Sequence, residues 1–318
     1  MTDASPPPEC PPGAPTPAPA ANPSNPSVPA APGTLPPARG RDSWSPWLPV
    51  LAVVTGFGVT IVLGLLVFVT AAAVGVTDDA PGVNIGLTLV QNGALVGAAF
   101  FFASMGRGRA AAADFGLRRT TFWRSVGLLV AVWIGFLVLS AIWAALLELD
   151  QQQDLPEELG ADGPLVNVLA VVVLVTVFAP LGEELFFRGF VFGAVRNWHG
   201  PWPAALITGI VFGGIHVGSS PIGYLVPLMI LGGGLCLLYE WTGSLYPPIA
   251  LHALNNSIAL GANLDWDWQI PAMMVGSTAA ALLCAWLLAR AVGDGRRPPA
   301  TGASNPSNPS NPSARGAA

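Results

Sequence analysis

Long apolar stretches separated by short polar segments make up the chain from residue 47 to residue 292. The longer stretches approach the 20 or so apolar residues that cross the hydrocarbon core of a bilayer as a helix. The pattern predicts an all-α, polytopic transmembrane helical bundle with about eight spans. Their expected bounds are 47–74, 85–105, 122–147, 165–196, 202–218, 222–240, 244–260 and 270–291.

Composition excludes several other classes of protein. Hydrophobic residues make up 52% of the chain and charged residues 10%, which is too few charges for the surface of a soluble domain. Of the three cysteines, Cys10 precedes the apolar region, whereas Cys236 and Cys284 lie within apolar stretches, so neither a disulfide framework nor a thiolate zinc cluster is expected. Basic residues form no patch with interleaved aromatics, and we expect no nucleic acid as a partner.

The two ends of the chain differ from the body between them. Residues 1–46 are rich in proline, and Asn-Pro-Ser repeats occur both there and in residues 293–318. Such segments bury too little apolar surface to offset the entropy lost on ordering. We predict disordered cytoplasmic tails at 1–46 and 293–318, flanking a transmembrane bundle at 47–292.

Charges separate by side of the membrane if eight spans alternate in direction. The chain has no lysine, and one side receives twelve of its arginines, whereas the opposite loops are acidic. By the positive-inside rule, both termini are expected in the cytoplasm. The abundance of Ala, Gly, Pro and Arg points to a high-GC bacterial genome and hence to a bacterial cytoplasmic membrane. The arginines are Arg39, Arg41, Arg107, Arg109, Arg118, Arg119, Arg124, Arg196, Arg290, Arg296, Arg297 and Arg315.

Small residues recur at the spacing that lets helices approach closely. Gly93 and Gly97, and likewise Gly209 and Gly213, are four residues apart, and 232–234 is a run of three glycines. We predict close helix packing at all three places.

With the span borders set aside, the ionisable side chains within the apolar stretches lie in three short clusters: Glu183-Glu184 with Arg188, His216, and His252, which is followed by Asn256. Each costs several kcal/mol at membrane depth and is therefore a candidate functional residue. With a rise of about 1.5 Å per residue, Glu183, His216 and Asn256 lie about 18–21 Å from the cytoplasmic ends of their helices. Three helices thus bring polar groups to one level, as a shared site requires.

Spacing within the clusters separates structural from chemical roles. Glu184 and Arg188 are one turn apart and are expected to form an internal ion pair. Glu183 points about 100° away and lacks that partner, which makes it the better candidate for a general base. His252 shares a helix face with Asn256, whereas His199 lies at a predicted border and is expected to be interfacial.

Several kinds of hydrolytic site are absent from the sequence. No His is followed by Glu, as a zinc-binding H-E-x-x-H motif requires, and no G-x-S-x-G elbow occurs. No predicted span contains an Asp, which argues against a membrane aspartyl dyad. A Glu pair, two His and an Asn remain.

These residues resemble the motifs of the CAAX protease and bacteriocin-processing family, called CPBP or Abi, which is related to type II CAAX prenyl endopeptidases. The segments 183–188, 212–216 and 252–256 look like its E-E-x-x-x-R, F-x-x-x-H and H-x-x-x-N motifs, in the same order. The stretch 114–119, Asp-Phe-Gly-Leu-Arg-Arg, resembles one often found before the core in bacterial members. The resemblance covers residues 110–260.

The resemblance implies an intramembrane endopeptidase acting on membrane-associated, prenylated or leader-type peptides. Its catalytic set would be Glu183, Glu184, Arg188, His216, His252 and Asn256. Glu183, assisted by His216, would activate a water, while His252 and Asn256 would donate to the oxyanion. The favoured mechanism requires no cofactor.

Three alternatives remain open at this stage. Glu183, His216 and His252 could instead bind a catalytic zinc ion, since the family has been labelled both glutamic protease and metalloprotease. The polar cluster could bind a partner helix without cleaving it, as in an immunity or regulatory membrane protein. A small transporter with a polar site at mid-membrane is the third alternative.

Overall fold

The computed structural model describes residues 44–77, 80–105, 110–148 and 163–293. Eight helices of fourteen residues or more lie in these ranges, and an additional 3₁₀ turn, Ile222–Tyr224, precedes the sixth. Nearly all of the predicted disordered tails, as well as most of the acidic loop after residue 147, lie outside the described residues. The helices are α1 Trp47–Ala73, α2 Pro81–Ser104, α3 Phe122–Leu147, α4 Leu165–His199, α5 Pro201–Gly214, α6 Leu225–Thr242, α7 Tyr246–Asn263 and α8 Gln269–Val292.

The prediction of an all-α membrane bundle is confirmed. Six of these helices are long and apolar enough to cross a bilayer, so the chain is a multi-pass membrane protein. The other two helices, α5 and α7, do not meet this criterion, so the structure shows six such spans where eight were expected. Helix α5 has only 14 residues, about 21 Å at 1.5 Å per residue, and α7 has 18 residues but carries several polar ones, among them His252, Asn255 and Asn256.

Helix α4 occupies the centre of the bundle, where its aromatic residues form much of the core. Phe186, Phe187, Phe190 and Phe192 are all fully buried. Helices α1 and α3, by contrast, bury few residues and expose large apolar side chains over most of their length. A packed core with apolar side chains on the outer faces suits a bilayer, since lipid covers the exposed apolar faces.

Glycines set the close packing of α5 on α6. A Cβ atom added to Gly209 would lie 2.7 Å from the Met229 carbonyl oxygen, and one added to Gly232 would lie 3.0 Å from the Gly209 Cα atom. The packing predicted for Gly209, Gly213 and 232–234 is thus confirmed. The prediction for Gly93 and Gly97 is wrong: both face outward from α2, and no described atom lies within 4 Å of a Cβ built on either.

Segments predicted to share the cytoplasmic side meet at one end of the bundle. Trp44 Nε1 donates to the Ala103 carbonyl oxygen, while the Trp198 indole donates to the Trp44 carbonyl. Ala112 N–H bonds the carbonyl of Gly293, which follows α8. Trp44 is buried, with its ring against that of Phe190 in α4.

The stretch before α3 is bonded to the connection between α6 and α7. The Gly116 carbonyl accepts from Leu245 N–H at 2.9 Å, and Ser244 Oγ donates to the Arg118 carbonyl at 2.7 Å. Gly116 has φ +77° and faces Tyr239, whose ring and hydroxyl would clash with an added Cβ. Only glycine suits both conditions. This stretch therefore fixes the start of α7, the helix that carries His252 and Asn256.

Candidate functional site

Helix α4 displays the Glu pair between two widened turns. Residues Leu174–Phe178 and Leu185–Phe192 are π-helical, and the short α-helical segment Ala179–Glu184 between them ends with Glu183 and Glu184. Widened turns of this type are frequent at functional sites because they re-aim side chains. Here they bring the Glu pair to face α7.

Glu184 forms the centre of the site. Its Oε1 atom accepts from Arg188 Nη1 and from His252 Nδ1, each at 2.8 Å. Glu184 and Arg188 are fully buried, and His252 is nearly so. The predicted Glu184–Arg188 ion pair is thus confirmed. The second bond shows that Glu184 also fixes the imidazole of a residue 68 positions away in the sequence.

Arg188 connects the ion pair to the neighbouring helices. Its Nη2 atom donates to the Gly232 carbonyl of α6 at 2.9 Å, and its guanidinium carbon lies 4.6 Å from the centroid of the Phe212 ring in α5. A cation against an aromatic face is stabilised by the ring quadrupole. The buried Arg188 of α4 is therefore stabilised by contacts with both α5 and α6.

The hydrogen bond to Glu184 determines where His252 carries a proton. A carboxylate only accepts, so Nδ1 carries the proton of this hydrogen bond. Nε2 lies 3.9 Å from Glu183 Oε2. That oxygen is buried and makes no hydrogen bond to any described residue. An unpaired buried carboxylate oxygen beside an imidazole is an acceptor that remains available for a water or a substrate proton.

His216 lies just beyond the end of α5. The sequence predicts a helix to residue 218, but α5 ends at Gly214 and His216 N–H bonds the Gly213 carbonyl oxygen. The Phe212 carbonyl, which loses that backbone donor, accepts instead from His216 Nδ1 at 2.8 Å. The side chain thereby caps the helix that carries it. Its Nε2 atom remains available for chemistry.

Phe212 links the two histidines. Its ring centroid lies 5.1 Å from that of His216 and 5.7 Å from that of His252. Among the described residues no hydrogen bond or ion pair joins His216 to Glu183. The structure therefore brings Glu183, Glu184, Arg188 and His252 together directly, while His216 reaches the group through the Phe212 ring.

Asn256 lies one turn beyond His252 on α7. Its Nδ2 atom donates to the Val175 carbonyl oxygen at 3.0 Å, within the first π-helical turn of α4. Sequence analysis did not identify this carbonyl because a backbone group leaves no residue type to recognise. The proline at position 180 was the one available signal.

The side chains of Glu183, His216 and His252 were tested as zinc ligands. Both imidazoles donate from Nδ1 and present Nε2, which is how metal-binding histidines are usually oriented. However, no three His, Cys, Asp or Glu side chains within the described ranges are arranged to hold a metal ion. In this conformation the three residues do not fit a zinc triad.

Comparison with known proteins confirms the family resemblance. Residues 165–258 match the model of the family described as "Type II CAAX prenyl endopeptidase Rce1-like", and this range contains all three polar motifs. No solved structure matches the chain significantly.

Three curated bacterial proteins are similar to parts of the chain. An Escherichia coli protein named "Uncharacterized 24.3 kDa protein" is 27% identical over 138 residues, 42% of this chain and 61% of that protein. The Bacillus subtilis (strain 168) protein "Putative membrane peptidase YdiL" is 25% identical over 95 residues, 30% of this chain and 38% of the relative. "UPF0177 protein YxdF" of Lactococcus lactis is 29% identical over 89 residues, 28% of this chain and 48% of the relative. In each case the chain spans less than two thirds of the relative's length.

Proposed function

We propose that this chain, whose residues 165–258 match the model of the Rce1-like family of type II CAAX prenyl endopeptidases, is an intramembrane endopeptidase. The observation that carries the proposal is the buried carboxylate of Glu183, which has an unpaired oxygen 3.9 Å from an imidazole that is itself fixed by Glu184. Glu184 Oε2 and Arg188 Nε also lack a hydrogen-bond partner among the described residues, so it is the position of Glu183 Oε2 beside His252 that supports the proposal.

Glu183 is the proposed general base. A water bound at Oε2 would transfer a proton to Glu183 as its oxygen attacks the scissile carbonyl carbon, and His216 Nε2 would accept a hydrogen bond from the same water. When the tetrahedral intermediate collapses, Glu183 returns the proton to the leaving amine. The products are a carboxylic acid and an amine, between which the remaining proton moves on ionisation, and no covalent intermediate with the enzyme is formed.

His252 and Asn256 are the proposed oxyanion donors. His252 can donate from Nε2 only as the imidazolium, because its other proton is committed to Glu184. With this proton, the charges on Glu183, Glu184, Arg188 and His252 sum to zero, which lowers the cost of burying them. Asn256 Nδ2 has a second N–H besides the one donated to Val175. Preorganised donors of this kind are effective where water is excluded.

The substrate class follows from the place of the site. Peptides that are themselves in the membrane can reach polar groups surrounded by apolar helices, and a prenylated C-terminal peptide or a membrane-associated leader peptide meets this condition. The bilayer is the second partner, because lipid must cover the exposed apolar faces of α1 and α3. We place the protein in a bacterial cytoplasmic membrane with both termini in the cytoplasm.

Cleavage of a fluorogenic peptide library by the purified full-length protein in liposomes tests the proposal. The library includes prenylated C-terminal peptides and leader-type peptides, and each reaction is run with and without a strong zinc chelator. Wild type is expected to cleave at least one peptide, and Glu183→Gln to lower kcat about 10²- to 10⁴-fold. Glu240→Gln, which alters a carboxylate paired with Arg196 elsewhere, is the matched control.

The outcomes separate the alternatives. Loss of activity in Glu183→Gln, together with resistance to chelator, supports the glutamate-activated water. Loss of activity both in Glu183→Gln and in wild type treated with chelator favours a zinc enzyme. Full activity of Glu183→Gln contradicts the assignment of Glu183 as base, and silence of wild type across the library favours a membrane protein that binds a partner without cleaving it.

A further inference from the structure

The Val175 carbonyl lacks the donor that a regular helix would supply. In an α-helix this oxygen accepts from the N–H four residues ahead, that of Ala179. Here Ala179 N–H bonds the Leu174 carbonyl instead, five residues back. The next position along the helix is Pro180, which has no N–H. Neither position can therefore bond Val175, and Asn256 Nδ2 takes the place of the missing donor at 3.0 Å.

Pro180 keeps the turn in this widened form. In α-helical geometry the pyrrolidine ring clashes with the carbonyl four residues back, which is that of Thr176. The other prolines in helices of the described ranges lie in first turns, where an N–H has no partner within the helix. Pro180 is the exception, since it lies in the middle of the 35-residue helix α4 and three residues before Glu183.

A second contact anchors the same turn from another helix. Thr176 Oγ1 lies 2.7 Å from Ser277 Oγ of α8, and both residues are buried. The turn is thus held between α7 and α8, so its free carbonyl faces Asn256 in a fixed position.

The bond to Val175 also determines how the carboxamide is turned. A carbonyl oxygen only accepts, so the Asn256 side chain must present its NH₂ group and not its oxygen to α4. One N–H is used in this bond, and the direction of the other is thereby fixed. Without the bond the group could rotate about its last torsion and present an acceptor where a donor is needed.

We propose that Pro180 is a positioning residue that leaves the Val175 carbonyl free and so orients Asn256 as a hydrogen-bond donor. Replacing the proline restores an N–H and removes the clash, which lets the helix close and supplies Val175 with a backbone donor. Asn256 then loses its anchor. The catalytic consequence rests on the proposed peptidase function, whereas the coupling of Pro180 to Asn256 does not.

A thermal double-mutant cycle on the full-length protein in detergent tests the coupling without any assay of activity. Asn256→Ala in the native background leaves the Val175 carbonyl without a donor and is expected to lower Tm. In Pro180→Ala the same change is expected to lower Tm by less than half as much. Pro271→Ala, an exposed first-turn proline in α8, is the matched control, and the full effect of Asn256→Ala should persist there. Equal effects in all three backgrounds contradict the proposal.

A second measurement covers the case in which Pro180→Ala fails to fold. Pro180→Gly restores the same N–H with a flexible backbone and takes its place in the cycle.

In the native protein, labelled with ¹⁵N-asparagine and assigned with Asn256→Ala, one side-chain proton of Asn256 should exchange slowly with solvent. Fast exchange of both protons overturns the proposed bond.

The activity arm then tests the catalytic consequence. We expect Pro180→Ala to lower kcat by about tenfold or more with KM unchanged, since loss of one oxyanion donor costs about 10²–10³. Added to Asn256→Ala, it should cause no further loss, whereas a merely structural effect would add to it. If wild type cleaves nothing, the peptidase function fails, and the thermal cycle still decides whether Pro180 positions Asn256.

Discussion

The carboxylate of Glu184 bonds both the guanidinium of Arg188, one helical turn away, and the imidazole of His252 on another helix, each at 2.8 Å. One buried carboxylate oxygen thus accepts hydrogen bonds from two side chains. Because Arg188 also bonds the Gly232 carbonyl, the ion pair joins α4, α6 and α7 at the level of the proposed reaction. Stability and chemistry depend on the same atoms here.

Removal of Arg188 is expected to destabilise the bundle strongly. Arg188→Met leaves the Glu184 charge buried with one partner fewer, which costs about 3–5 kcal/mol for pairs of this kind. Arg196→Met, which breaks the more accessible pair with Glu240, is the matched control and should cost clearly less, because both of its side chains keep some contact with solvent. Unfolding in detergent, followed by circular dichroism, measures both. Similar losses in the two variants would show that the buried pair has no special importance.

The double variant Glu184→Gln/Arg188→Met tests the reason for that loss. If the cost arises from an uncompensated charge, neutralising Glu184 should recover part of the stability that Arg188→Met loses. A double variant less stable than either single variant contradicts this account and implies that the two side chains contribute mainly through packing.

Glu184→Gln alone tests how His252 is oriented. The amide has nearly the same shape but no charge. Its NH₂ group can face His252 Nδ1, whose N–H would then have no acceptor to fix the orientation of the ring. We expect kcat to fall about 100-fold or more with KM little changed, as when an acid that orients a catalytic imidazole is replaced by an amide. Steady-state kinetics in liposomes measure both constants. A rise in KM at constant kcat would show that Glu184 contributes to substrate binding and not to orientation.

Much of the site can be predicted from sequence because its side chains are costly in a membrane. The ion pair of Glu184 and Arg188 follows from their spacing within one helix, and the predicted level of Glu183 and Asn256 follows from helix rise alone. The helical class and the approximate bounds of α1, α3 and α8 likewise follow from apolar length.

Other features depend on backbone geometry that residue types do not encode. His216 lies in a turn and not in a helix, because the backbone turns after Gly214 and the side chain takes over a backbone hydrogen bond. The bond between Asn256 and Val175 requires a π-helical turn, which the apolar pattern around Pro180 does not reveal. Gly93 and Gly97 have the spacing of a packing motif, but the neighbouring helices pack against other faces of α2.

The glycine spacings provide a matched comparison. Gly209→Ala should destabilise the bundle by about 1–3 kcal/mol, since the added methyl group would lie 2.7 Å from the Met229 carbonyl oxygen and neither backbone can retreat freely. Gly97→Ala meets nothing within 4 Å and should leave the monomer as stable as wild type, or slightly more so. Thermal unfolding in detergent distinguishes the two. Equal destabilisation would mean that the outward face of α2 is packed against something in solution, such as a second copy of the chain.

The sidedness of the bundle gives the last prediction. Trp44, Ala112, Gly116 and Leu245 lie at one end of the bundle, together with Arg118, so the positive-inside rule predicts that this end is cytoplasmic. In a variant with all three native cysteines replaced, a single cysteine at the exposed position 119 should resist a membrane-impermeant maleimide in intact cells. A cysteine at position 268, which is 74% exposed and at the opposite end by helix order, should react. Permeabilised cells serve as the control in which both positions react. Labelling of position 119 alone in intact cells would show the opposite orientation, and the proposed cytoplasmic location of both termini would then be wrong.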